Sequence, residues 1–292
     1  MEPTVLYLAL GANLSFALGS QIFTHYARKF SSTWMNFFKA CMGLLCFGIT
    51  ISIAGSWHDI PASWVGLFLL SGTIGLGIGD ILLLKAFSQL GPGRTLIIFS
   101  FQPLFLGLMS YYAFDQTMDS RKFLAIFFFI LCVGITSFES FRKDRSWQLG
   151  GIALALGGIL LDASGLIITR YTFDNNPMVT SLEGNFYRCV GAVLFFLLLS
   201  RVRPYNIVEQ FKSLNLKSKS MVFLGGFLGT YLSLALYLHA VKQAHLASLA
   251  GIAITGTLFT NILECAIERK WPSKYLLFSL IFFACGMNFL IF

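Results

Sequence analysis

Ten apolar stretches, each near the length that crosses a bilayer, leave this chain few ways to fold in water. They run over about residues 5–27, 33–54, 62–88, 93–114, 122–138, 149–170, 179–200, 221–242, 246–267 and 274–292. A hydrocarbon core of about 30 Å takes roughly 20 residues of helix. A helix also satisfies its own backbone polar groups where water cannot. Charged residues make up 12% of the chain, about half of what a soluble domain carries. Pro3, Pro61, Pro92, Pro177, Pro204 and Pro272 fall at or between the ends of runs, where a missing N–H does no harm. Pro103 lies deep in the fourth run and should kink it, freeing a carbonyl there. The expected fold is an all-α integral membrane protein with ten transmembrane helices.

The chain repeats itself. The stretch LKAFSQLGPGRTLIIFSFQPLF (84–105) aligns without gaps to LHAVKQAHLASLAGIAITGTLF (238–259). ALGANL (9–14) resembles ALGGIL (155–160), and NFFK (36–39) resembles NFYR (185–188). Asp115 and Glu268 close the fourth and ninth runs at nearly equivalent places. These matches divide the chain into residues 1–141 and 142–292, each with five runs. An odd number of crossings makes the second half enter from the opposite side. The expectation is two inverted five-helix repeats, an arrangement of secondary transporters whose sites lie at the repeat interface.

Loop charges bear on orientation. Fifteen basic residues follow the odd-numbered runs, against four (Arg121, Lys122, Arg170, Lys242) after the even-numbered ones. That split places both termini outside the cytoplasm. The net charge of +8 is scattered over short loops rather than gathered on one face, which argues against nucleic acid as a partner. The six cysteines lie in or at the ends of apolar runs and form no Cys-x-x-Cys pair, so no metal site or disulfide framework is expected. The N-terminus, MEPTVLYL, has an acid and no base ahead of the first run, and that run is expected to stay as a helix.

Ionisable groups inside apolar runs are the candidate functional residues. Lys39 lies early in the second run and Arg188 early in the seventh. Two readings stand for them. Long bases can snorkel back to headgroups. Alternatively, both line a shared polar cavity, in opposite leaflets, and meet a negative group on a solute. Asn36 and Asn185, one turn earlier, would hydrogen-bond the same solute or bond between helices. Asp80, in GLGIGDILLL, and Asp162, in GILLDASGL, are the acids that would pair with Lys39 and Arg188 respectively. Glu264, near the end of the ninth run, reads as interfacial. Gly75 and Gly79 in the third run, Gly229 in the eighth and Pro103 mark surfaces that let helices approach and slide, and so are candidate gating positions.

Enzyme readings fare poorly. GIGD (77–80) matches the Gly-x-Gly-Asp element of intramembrane aspartyl proteases, with Asp162 as the candidate second acid. The Tyr-Asp and Pro-Ala-Leu elements of that class are absent. No zinc-protease, serine-hydrolase or nucleotide-binding motif occurs. No cofactor is expected, and any pumping must use an ion gradient or a counter-substrate.

Taken together, the duplicated five-run unit, the GD followed by AFSQLGPGRTLIIFSFQPLF, Asp115 and Glu268 at matching run ends, and a base early in runs two and seven resemble the EamA-type transporters of the drug/metabolite transporter superfamily. The resemblance covers nearly the whole chain. It implies ten helices around a central cavity lined by helices 1–4 and 6–9, with helices 5 and 10 peripheral. It also implies alternating access, with export or exchange of amino acids, metabolites or drugs. Expected partners are a small-molecule solute, protons or a counter-substrate, and the lipid bilayer of a bacterial inner membrane, with the protein a monomer or homodimer. Well-known members keep both termini in the cytoplasm, opposite to the charge-based orientation. A flippase for a lipid-linked substrate is the alternative on the same fold.

Overall fold

Local chemistry sets where the apolar runs begin and end as helices. In the computed structural model, the described residues are 3–291 without 56, 100, 115–119, 145–147, 203, 244–255, 257–258 and 268, and none of them forms a strand. Asp115 and Glu268 lie outside the described residues, as does most of the ninth run. Helix α1 spans Pro3–Lys29. Helix α2 (Ser32–Ala54) starts where Ser31 Oγ accepts the Trp34 amide at 3.0 Å, and it stops at Gly55, whose φ of 62° suits a residue without Cβ. Helix α3 covers Ala62–Leu90. The fourth run is split into α4 (Pro92–Phe99) and α5 (Gln102–Phe114), so the break expected near Pro103 falls just before it. There, in the first turn of α5, its missing N–H leaves no helical bond unmade.

Helix α6 spans Ser120–Asp144 and α7 spans Leu149–Asn175. Helix α8 (Ser181–Val202) opens on a reciprocal cap: the Thr180 amide donates to Glu183 Oε2 at 2.8 Å and the Glu183 amide to Thr180 Oγ1 at 3.2 Å. The same carboxylate takes the His58 amide at 2.7 Å and lies 2.9 Å from His58 Nδ1, tying the α2–α3 loop to α8. A short α9 (Ile207–Lys212) precedes α10 (Leu216–Lys242); residues 259–267 form α11, and α12 spans Lys274–Ile291.

Two of these helices change their winding at glycine-rich stretches. Residues Thr73–Gly79 within α3 and Phe227–Leu232 within α10 are π-helical. Phe227 is 154 positions after Thr73, and Leu238 is likewise 154 positions after Leu84, so both π segments fall on the offset of the sequence repeat. Glycine also permits backbone contact between helices. A Cβ on Gly72 would collide with the carbonyl of Arg188, one on Gly191 with that of Leu69, and one on Gly19 with the backbone of Gly229. The α3–α8 and α1–α10 crossings are therefore set by absent side chains.

Helices α6 and α12 pack on each other, with Phe128 stacked on Phe289 and Arg142 Nη1 donating to the Tyr275 hydroxyl at 2.6 Å. Among the described residues, neither lines the cavity described below. Among the described residues, seven helices are long and apolar enough to cross a membrane. The fold is thus that of an all-helical, multi-pass membrane protein.

Candidate functional site: a central cavity with buried charges

A cavity of about 140 Å³ lies among the helices. Its wall takes Asn13 and Phe16 from α1, Lys39 from α2, Leu76, Asp80 and Leu83 from α3, and Phe99 and Gln102 from α4 and α5. The second half contributes Asp162 from α7, Arg188 from α8, and Gly229, Thr230, Ser233, Leu234 and Tyr237 from α10. An engineered apolar cavity of about 150 Å³ takes up benzene, so the space suits a compact molecule. Both bases, expected in opposite leaflets, line this one cavity.

The first expected pair forms. Lys39 is 4% exposed, and its Nζ reaches Asp80 Oδ2 at 2.7 Å. The ammonium also sits 4.8 Å from the centroid of the Phe23 ring, a cation–π distance. Both side chains line the cavity, and each ion is the other's counter-charge.

The second expected pair does not form. Asp162 Oδ2 accepts from Gln102 Nε2 at 2.6 Å. Arg188 is 1% exposed, yet its Nε and Nη1 have no hydrogen-bond acceptor among the described residues. The two side chains flank Gly75 on α3: a Cβ there would stand 3.5 Å from Arg188 Nη2 and 3.6 Å from Asp162 Oδ1. The amide of Gln102 has taken the acid that the sequence pattern assigned to the base.

Asn36 and Asn185, read as reaching a solute or bonding between helices, bond to backbone carbonyls of neighbouring helices. Asn36 Nδ2 donates to the carbonyls of Leu76 and Gly77 at 3.0 and 3.1 Å, inside the π segment of α3. Asn185 Nδ2 donates to the Leu234 carbonyl at 2.9 Å, two residues past the π segment of α10. A π turn shifts the helical ladder by one residue, and carbonyls near it need donors in a dry interior. Of the expected gating glycines, Gly229 lines the cavity, Gly75 stands beside the two unlike charges, and Gly79 packs on Leu161 and Gly158 of α7. Asp80 and Asp162 each have their own partner, Lys39 and Gln102, which is not the shared-proton acid pair of an aspartyl protease.

Gln102, Leu234 and Tyr237 are cavity residues that the sequence pattern did not single out. The repeat alignment carried a signal: at its offset of 154, Gln102 corresponds to Gly256, Leu83 to Tyr237, Leu76 to Thr230 and Asp80 to Leu234, and all eight line the cavity.

Polar contacts close the helix ends on both sides. Arg28 Nε donates to the Ser88 carbonyl at 3.1 Å, and Glu264, read from the sequence as interfacial, accepts the Gly93 amide at 2.8 Å. A second space of about 400 Å³ opens there, beside His25, Arg28 and Lys29. At the other end Arg170 Nη1 donates to the Val241 carbonyl at 2.5 Å, and Lys242 Nζ to those of Pro177 and Val179 at 2.8 and 2.6 Å.

Comparison with known proteins fits this picture. Residues 3–138 match the model of the EamA-like transporter family, which belongs to the drug/metabolite transporter superfamily. No curated protein matches. One crystal structure superposes with a TM-score of 0.70 at 12% identity, covering 99% of this chain and 96% of that one. At that identity the likeness is one of fold.

Proposed function

We propose that this chain, an EamA-like transporter unit over residues 3–138, is a secondary transporter that carries a small organic solute by alternating access, as an exporter or exchanger. The observation that carries the reading is the cavity: buried charges from both halves of the chain converge on one small space between apolar helices. Charges inside membrane-spanning helices face a pathway or a partner. In this reading the chain has ten crossings in two inverted repeats, 1–141 and 142–292. The π segments at the repeat offset support it, as does the 154-residue correspondence of cavity residues. Helices α3 to α5 and α10 to α11 then serve as the moving elements. Protons or a counter-substrate supply the drive, and the protein resides in a bacterial inner membrane. The loop charges favour termini outside the cytoplasm.

Counterflow in proteoliposomes tests the reading. A panel of amino acids, small carboxylates, nucleosides, sugars and lipophilic cations is offered with and without a pH gradient. Saturable exchange of at least one class is expected, and cysteine cross-links between α3 and α10 are expected to stop it. Exchange indistinguishable from empty liposomes for every class would overturn the proposal. A paired phosphatase and fluorescent-protein fusion at the C-terminus checks the orientation: strong phosphatase activity is expected, and fluorescence alone would reverse it.

A further inference from the structure

Two bases among the described residues line the cavity, and they differ in what they bond. Lys39 is neutralised by Asp80 at 2.7 Å and covered on another side by the Phe23 ring. Arg188 has two nitrogens, Nε and Nη1, with no acceptor among the described residues, although it is 1% exposed and lines the cavity. A guanidinium presents its donors as a planar fork that matches a carboxylate. On the repeat offset, the residue facing the cavity where α3 has Asp80 is Leu234 on α10. The Leu234 carbonyl holds Asn185, one turn before Arg188, which brings this stretch of α10 against α8.

We propose that Arg188 receives the single carboxylate of a compact solute, and that Leu234 is the specificity residue that keeps the guanidinium available. The solute class follows from the remaining charges. Asp162 lies across Gly75 from Arg188, with Gln102 on one of its oxygens, so the rest of the solute meets an acceptor and favours a group that donates hydrogen bonds. A second carboxylate would face Asp80 and Asp162 with no free base. Small monocarboxylates, including those that carry an amine or hydroxyl, are therefore accepted, and dicarboxylates are refused. A volume of about 140 Å³ sets the same limit on size.

That the bound molecule is cargo rests on the transporter reading; that it binds does not, so equilibrium binding is measured first. Purified protein in detergent is heated with lactate, alanine, lactamide or succinate, and the unfolding temperature is recorded. Lactate and alanine are expected to stabilise it, and lactamide and succinate to do so at least tenfold more weakly in concentration. Arg188→Gln should abolish the response to lactate. Leu234→Asp, which supplies the acid that α3 has, should abolish it too while the unliganded unfolding temperature stays within a few degrees. Asp80→Asn should gain a response to succinate by releasing Lys39. Equal responses to lactate and lactamide, an unchanged lactate response in Arg188→Gln, or no response to either monocarboxylate would overturn the proposal. Binding without counterflow would instead sink the transporter reading and leave this one standing. Counterflow of uncharged solutes that survives Arg188→Gln would do the reverse.

Discussion

The two halves of the chain each bury one base in the same cavity and treat it differently. Lys39 in α2 finds Asp80 on the following helix, and the pair closes at 2.7 Å. Arg188 in α8 finds Leu234 at the matching place, and its guanidinium is left with two unmatched nitrogens. The quartets NFFK and NFYR thus put a cation at corresponding depths, while one residue on a neighbouring helix decides whether that cation is satisfied internally. A duplicated scaffold can in this way hold one structural ion pair and one receptor for a guest.

The largest expected effect separates these roles by stability. Lys39→Met leaves the Asp80 carboxylate without its counter-ion and should cost about 3–5 kcal/mol, the usual result of removing one partner of a buried pair. Arg188→Met removes a buried ion whose Nε and Nη1 have no acceptor among the described residues, and stability in detergent should stay level or rise, because an apolar replacement carries no desolvation penalty. Thermal unfolding of the two variants side by side is the measurement. Equal losses would break the comparison. Adding Asp80→Asn to Lys39→Met sharpens it, since most of the lost stability should return when neither ion is present.

A smaller effect is expected one turn away. Asn36→Ala strips donors from two buried carbonyls, those of Leu76 and Gly77, and should cost about 2–3 kcal/mol. Asn185→Ala strips one, that of Leu234, and should cost about 1 kcal/mol. Amide hydrogen exchange along α3 and α10 would show whether each loss is confined to its own π segment. A larger loss for Asn185→Ala would mean that the first-half segment does not depend on its asparagine.

The smallest effects belong to the helix-end contacts. Arg28→Gln removes a bond to the Ser88 carbonyl, and Arg170→Gln removes bonds to the Val241 and Lys242 carbonyls and an exposed pairing with Asp174; each should cost about 0.5–1.5 kcal/mol. Exchange should rise locally, at residues 88–93 for Arg28→Gln and around 241–243 for Arg170→Gln. Rises at both ends in either variant would show that the two closures are coupled.

Much of the fold was legible because bilayer physics is strict. Apolar runs of about 20 residues had to be helices, proline had to sit near helix ends, and a buried lysine had to find an acid. Lys39 and Asp80 met as that logic required. The same logic failed for Arg188 and Asp162, because both residues had alternatives: Gln102, on a helix broken just before Pro103, reached the acid first. It went only part of the way for Asn36 and Asn185: bonds between helices were one of its two readings, but not the carbonyls that take them. A regular 3.6-residue helix leaves no carbonyl for them, and the pattern of residues does not announce a π turn.

What the sequence by itself determined is the solvent of the protein, its helices, its internal repetition and the depth of its charges. These follow from local composition and period, which act on each segment alone. The tertiary structure decided which charges are spoken for. Whether two side chains on different helices meet depends on crossing geometry and azimuth, and here these are set by backbone contacts at Gly72, Gly191 and Gly229 and by two π segments that rotate everything beyond them.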